Sequence, residues 1–449
     1  MVALRRIRHL VAGLLAVLFL TALAPPPQGL RVTDHAILGE QVMSAGRDAF
    51  IQAHPGLQTA SFDSDPAVVA AWWQSLSDGE RHSIARRMPE IVGNLAGVDY
   101  ATRDVANRAQ LKLALAALLD SAARHPLDEV EAEQLAALHA IKGALASKTV
   151  PRFLIELTTD SPPLAAISIG DLDAALLVTF AVPGMGTLST DMQLWTRAAS
   201  NIYDAQSAAG AHKQAVIAWM GYRTPPVGVE ATRDNYANRG ATLLRRDILG
   251  IRAARGDARQ PVINIIAHSY GTATAAKALS PDLGIRTLVM LGSAGVDASF
   301  RTAADLAVEQ VFSGESSADL QARWGRMERT NPSSADFGAT ILAVNGDDEL
   351  GLKPVTGHEP IVHSPWNDDP GSPLWMSYTN VTVRDRLYSD HMQSFGYLDV
   401  GTESLLAVGD VTTPPTYRGY AFGHSSFSRG VGPRAEAALG TPSDSMARR

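Results

Sequence analysis

Cysteine is missing from all 449 residues, which excludes disulfides, thiolate metal sites and a cysteine nucleophile together. Charge is sparse as well. Asp, Glu, Lys and Arg make up 19% of the chain, and the net formal charge is −7. A phosphate backbone needs clustered Lys and Arg, so no nucleic-acid partner is expected. Neither G-K-[ST] nor G-x-G-x-x-G occurs, which argues against a nucleotide-phosphate cradle and any nucleotide cofactor. The sequence shows no internal repeat, no heptad seam and no apolar run of the roughly 20 residues that a spanning helix needs. What remains is globular: 46% of residues are hydrophobic and mean hydropathy is −0.01, enough for a sizeable core.

The N-terminus carries an address. Arg5, Arg6 and Arg8 precede an apolar run from Leu10 to Ala24 that ends Ala22-Leu23-Ala24 before three prolines. A basic n-region, a short h-region and an A-x-A site read as a secretory signal. Proline directly after such a site obstructs cleavage, so residues 1–24 read either as a signal peptide or as an uncleaved membrane anchor. Both readings place the protein outside the cytoplasm, secreted or in the cell envelope.

Residues 31–147 read as a helical N-terminal domain. Asp65-Pro66 supplies an N-cap and a first-turn proline, Ser77 to Glu80 a capping box, and 103–119 and 127–145 two longer helices. Trp72-Trp73 reads as a core anchor, with ligand stacking as the rival. From Val150 the period changes. Short strands at 153–157 and 164–169 are followed by apolar runs at 176–182, 215–219, 262–267, 287–291, 309–312 and 339–344, spaced by helical stretches. That alternation predicts an α/β fold with a doubly wound, mostly parallel sheet over residues 150–412. Residues 345–390, rich in Pro, Gly, Asp and Trp, read as a long irregular loop. Its Trp366, Leu374, Trp375 and Met376 serve either as the apolar face of a lid or as pins to the sheet edge. Residues 413–449 read as a poorly ordered tail.

The chemistry is concentrated at Ala267-His268-Ser269-Tyr270-Gly271, between an apolar β-branched run and an Ala-rich helix. This is a variant of the G-x-S-x-G elbow, in which the nucleophile sits on a strained turn and only small residues fit two positions either side. Ser269 is the expected nucleophile; an ordinary strand-to-helix turn is the alternative. Val182 to Thr187, directly after a buried strand, belongs where an oxyanion loop stands, with the amides of Met185 and Tyr270 as expected donors. A serine also needs a base and an acid, downstream in the order Ser, acid, His. The histidines there are His358, His363, His391 and His424. Acid candidates are Asp319 after the 309–312 strand, Asp347 and Asp348 after the next, and Asp297. Asp347 to Glu349 lacks calcium-loop spacing, and His358, Glu359 and His363 lack the H-E-x-x-H spacing, so no metal is expected.

Several of these segments together resemble one family. Val182 to Thr187, Ala218 to Tyr222, the elbow, Gly292 to Val296, Asp336 to Ala339 and Gly401 to Leu405 recur in its order. The chain is thereby similar, over about residues 153–408, to the actinobacterial α/β-hydrolase family filed as domain of unknown function 1023. Asp65-Pro66, Gly93 to Leu95, Arg103-Asp104 and Ala106 to Arg108 also resemble the helical region often preceding that domain. The resemblance implies an α/β-hydrolase fold and a serine-hydrolase site without a fixed substrate. It implies His391 as the base, ahead of Tyr397 and Gly401 to Leu405, and Asp319 as the acid; His358 and His363, in the long irregular loop, are the fallbacks for the base. The expectation is an exported serine esterase acting on a small-molecule or lipid ester. Its rivals are an acyltransferase with the same residues and a catalytically silent envelope adaptor.

Overall fold

The structure is a computed structural model that describes residues 64–147, 149–256, 260–365 and 367–417. The expected signal or anchor, residues 31–63, Trp366 and most of the expected tail lie outside the described residues. The first helices form where capping chemistry places them. Asp65 accepts the Ala67 amide to open α1 (Pro66–Ser75). The Ser77 and Glu80 capping box opens α2 (Asp78–Arg87), followed by the short α3 (Pro89–Val92). Then come α4 (Tyr100–Arg124) and α5 (Glu129–Ala144), the latter opened by an Asp128 and Glu131 box. Trp73 is buried and donates its indole N–H to Asp99 at 3.0 Å, so it anchors a small core.

The sheet follows: β1 (Arg152–Leu157), β2 (Ala165–Ile169), β3 (Leu177–Val182), α6 (Met192–Ala208), β4 (Gln214–Met220) and α7 (Asn235–Arg255). After these come β5 (Val262–His268), α8 (Gly271–Ala278), β6 (Ile285–Leu291), β7 (Val308–Gly314), α9 (Leu320–Gly325) and the two-residue β8 (Thr340–Ile341). Three helices close the described chain: α10 (Pro373–Met376), α11 (Val381–Met392) and α12 (Glu403–Thr412). The strand order is β1-β2-β4-β3-β5-β6-β7-β8. β2 runs antiparallel to β1 and β4, and every other pair is parallel. Strands β2, β3 and β4 are buried throughout, which is why they read as continuous apolar runs.

Helices cover both faces. On one, Trp195, Ile202 and Val408 share a core with Leu111, Leu115, Leu138 and Ile141 of α4 and α5. On the other, Leu244, Ile248 and Ala275 pack on Phe180, Ile265 and Leu288. The helices before the sheet also close its edge. Asp104 accepts the Leu154 amide, Asn107 donates to the Leu154 carbonyl, and Asn94 bonds both amide and carbonyl of Leu157. An unpaired edge strand invites intermolecular pairing; here its polar groups are occupied within the chain.

Residues 345–390 differ from the irregular loop expected. They hold α10 and nearly all of α11, whose N-terminus is capped by Asn380 accepting the Val383 amide. The apolar residues of α11 lack the regular spacing of a buried face, and none of its side chains is buried, so its helical character is muted in the sequence. Trp375 is buried and donates to the Asn367 carbonyl at 2.6 Å, whereas Leu374 and Met376 are exposed.

Candidate active site

The parallel strands deliver their following loops to one edge, where α/β sheets place their sites. β5 ends at His268, and Ser269 turns the chain into α8 with φ of 53°. A left-handed non-glycine residue costs about 1–3 kcal/mol and persists only where its surroundings impose it. Here the Ser269 amide donates to the Leu291 carbonyl, and Ser269's own carbonyl accepts from the Thr272 hydroxyl at 2.7 Å. The small residues at the elbow have a steric cause. A Cβ on Gly271 would stand 2.5 Å from the Pro183 carbonyl oxygen, and one on Gly184 would stand 2.6 Å from Cβ of Ser269.

The hydroxyl of Ser269 lies 2.8 Å from Nε2 of His358. Nδ1 of the same imidazole lies 2.9 Å from each carboxylate oxygen of Asp319. All three side chains are buried. Asp319 follows β7 and caps α9 by accepting the Ala322 amide. Burial alone would raise its pKa. The bond and charge of His358, with the Ala322 amide and the Tyr397 hydroxyl, outweigh burial and hold the carboxyl below its ordinary range. It is therefore ionised at neutral pH.

Ser269 and Asp319 thus stand together as expected, but His391 does not join them. His391 lies near the end of α11, with Nε2 2.8 Å from Asp368. The imidazole at the serine belongs to His358, one of the two fallbacks; the other, His363, also binds Asp368. The reason is topological. The Val362 and His363 amides both donate to Asp399, while the Thr356 amide donates to the Phe395 carbonyl and the Phe395 amide donates to the Thr356 hydroxyl. The chain leaves the fold near His363 and returns near Phe395. An excursion therefore separates His358 from Tyr397 in sequence, while both bond Asp319 in space. The other acid candidates face elsewhere: Asp347 caps a turn through the Glu349 and Leu350 amides, and Asp297 pairs with Lys277.

Two side chains brace the set. Tyr397 donates its hydroxyl to Asp319 at 2.8 Å and accepts the Ser316 amide. His268 is buried, its ring 4.8 Å from that of His358, and its Nε2 lies 2.7 Å from the His358 carbonyl oxygen. Burial first, and His358 second, push the His268 pKa down to about 3. It is a neutral imidazole donating Nε2–H to that carbonyl, which fixes the backbone of its neighbour. The Tyr270 side chain points away from the serine: it donates to the Arg233 carbonyl, accepts the Ala237 amide and stacks under Arg329. Met185 packs beside it, half-buried, and among the described residues neither the Met185 nor the Tyr270 amide is paired with a backbone carbonyl.

Strand order, elbow and the placement of Ser269, Asp319 and His358 after β5, β7 and β8 define an α/β-hydrolase fold. The profile of a family described as alpha/beta hydrolase matches residues 160–328. Two curated relatives are the uncharacterized proteins Rv2079 and MT2140 of Mycobacterium tuberculosis, strains ATCC 25618 / H37Rv and CDC 1551 / Oshkosh. Each is 28% identical over 293 residues, covering 58% of this chain and 44% of the relative. The chain thus spans less than half the length of these relatives. Among solved structures, an esterase of Rhizomucor miehei is 12% identical with a TM-score of 0.32, covering 62% of this chain and 97% of that one. Dienelactone hydrolase from Anabaena variabilis ATCC 29413 is 13% identical with a TM-score of 0.28, covering 40% and 80%. Likeness of this degree bears on neither substrate nor mechanism.

Proposed function

We propose that the protein is a serine hydrolase of carboxylic esters, with Ser269 as nucleophile, His358 as base and Asp319 as orienting acid. The observation that carries this reading is the continuous bonded chain from the Ser269 hydroxyl through both nitrogens of His358 to Asp319. The Ser269 oxygen attacks the ester carbonyl while Nε2 of His358 takes its proton. Asp319 keeps the proton on Nδ1 and stabilises the imidazolium. The amides of Met185 and Tyr270 receive the oxyanion. His358 then returns the proton to the departing alkoxide, and a water deprotonated by the same nitrogen releases the acid.

A small-molecule or lipid ester is the proposed substrate class, and export is proposed on the N-terminal sequence alone. Acyl transfer uses the same steps with an alcohol in place of water. Ser269→Ala should lower turnover of short p-nitrophenyl esters by on the order of 10⁴-fold or more, and Asp319→Asn by about 10³- to 10⁴-fold, with folding retained. Turnover surviving in Ser269→Ala removes the nucleophile. No ester turnover and no acyl transfer in the wild-type protein would favour the adaptor reading.

A further inference from the structure

The excursion that separates His358 from Tyr397 carries a second cluster at its base. His363 stands where the chain departs, His391 near the end of α11, and Asp368 lies between them. One oxygen of Asp368, Oδ1, is 2.9 Å from Nδ1 of His363 and 2.8 Å from Nε2 of His391. One ligand atom from each residue lies within 4.8 Å of the other two, and all three residues are half-buried. Two imidazoles and a carboxylate form a donor set suited to a divalent transition ion, with a further position left for water.

The surroundings also suit an ion. The His391 ring packs on Trp375 at 5.3 Å, and the His363 ring on Phe395 at 4.9 Å, giving the cluster an apolar wall that limits water access. Tyr388 donates its hydroxyl to the Asp368 carbonyl, and Asp399 holds the His363 amide, so the backbones of two donors are fixed from outside the cluster. Nε2 of His363 is buried without a partner among the described residues. Among the described residues nothing on that side of the ring selects its tautomer, which can follow whatever Nδ1 binds.

We infer that His363, Asp368 and His391 form a zinc site that clamps the base of the 364–394 excursion. In its absence the two imidazoles donate N–H groups to Asp368 and hold the same segments through hydrogen bonds. An ion replaces both bonds and ties α11 to the segment that follows the catalytic base.

The test uses the full chain, stripped with a chelator and titrated with Zn²⁺, with Co²⁺ as a spectroscopic probe. The expected result is one Zn²⁺ per chain and a visible Co²⁺ ligand-field spectrum. Loss of an outer-shell partner alone typically weakens affinity by about 10–100-fold, so Asp368→Asn and His391→Gln should each cost at least that. His358→Gln should bind as the wild type does. For wild-type protein, Zn²⁺ should slow carbethoxylation of His391, followed by peptide mass spectrometry, whether or not the variants fold. Any one of four results overturns the site: no stoichiometric uptake, uptake in both ligand variants equal to the wild type's, loss of uptake in His358→Gln, or unprotected His391.

Discussion

His268 adjoins Ser269 in sequence and His358 in space, and its titration is the feature of the site most open to measurement. Its pKa falls from an ordinary 6.5 to about 3 on folding, first because it is buried. Between those values the unfolded chain binds the proton and the folded chain does not, so stability rises with pH across that window. The contribution is complete above 6.5 and is lost as pH falls, by up to about 1.4 kcal/mol per pH unit. Asp319 behaves differently: its pKa lies below the ordinary 3.8, so its contribution is lost only in the more acidic range. Buried Glu156, its pKa pushed up to about 7 chiefly by burial, contributes with the opposite sign in both proteins. The expected signal is therefore a difference: from about pH 7.5 to about pH 4.5 the wild-type urea midpoint should fall relative to that of His268→Gln. Equal slopes would mean that His268 is not held neutral by the fold. Ser269 and Asp319 were legible residue by residue because each depends on a few neighbours: an elbow of small residues, and the loop after a buried strand. His358 was not, since its neighbours are set by where a distant excursion closes.

At the scale of elements, all eight strands are readable as apolar runs because most are covered on both faces. The prediction of a strand over 339–344 shrinks to Thr340–Ile341, which pairs with β7 at only two positions before the chain turns away. The excursion escaped recognition for the opposite reason. Its helix α11 buries no side chain, and the one buried aromatic among the excursion's described residues, Trp375, packs mainly within the excursion, against Tyr388 at 5.2 Å and His391. Leu374, Met376, Val381 and Val383 remain exposed, and removing them takes little apolar area from the main core. Because the excursion's ends meet at Asp399, replacing residues 364–394 with a short glycine-rich linker should alter the ratio of long- to short-chain ester turnover more than it lowers the melting temperature. An unchanged chain-length profile with a large fall in melting temperature would show that these residues support the fold and not selectivity.

For the molecule as a whole, the helices before the sheet and the sheet itself are one structure. Leu111, Leu115, Leu138 and Ile141 enter the same core as β1 and β2, and Asn94, Asp104 and Asn107 occupy the polar edge of β1. Within this frame the loops after β5, β7 and β8 bring residues 269, 319 and 358 into one bonded line. The most direct test of that line is the site and rate of fluorophosphonate labelling, read by peptide mass spectrometry in wild type, His358→Ala and His391→Ala. The adduct should form on Ser269, with the labelling rate falling by orders of magnitude in His358→Ala and far less in His391→Ala. An adduct elsewhere, or a larger loss in His391→Ala than in His358→Ala, would contradict the assignment.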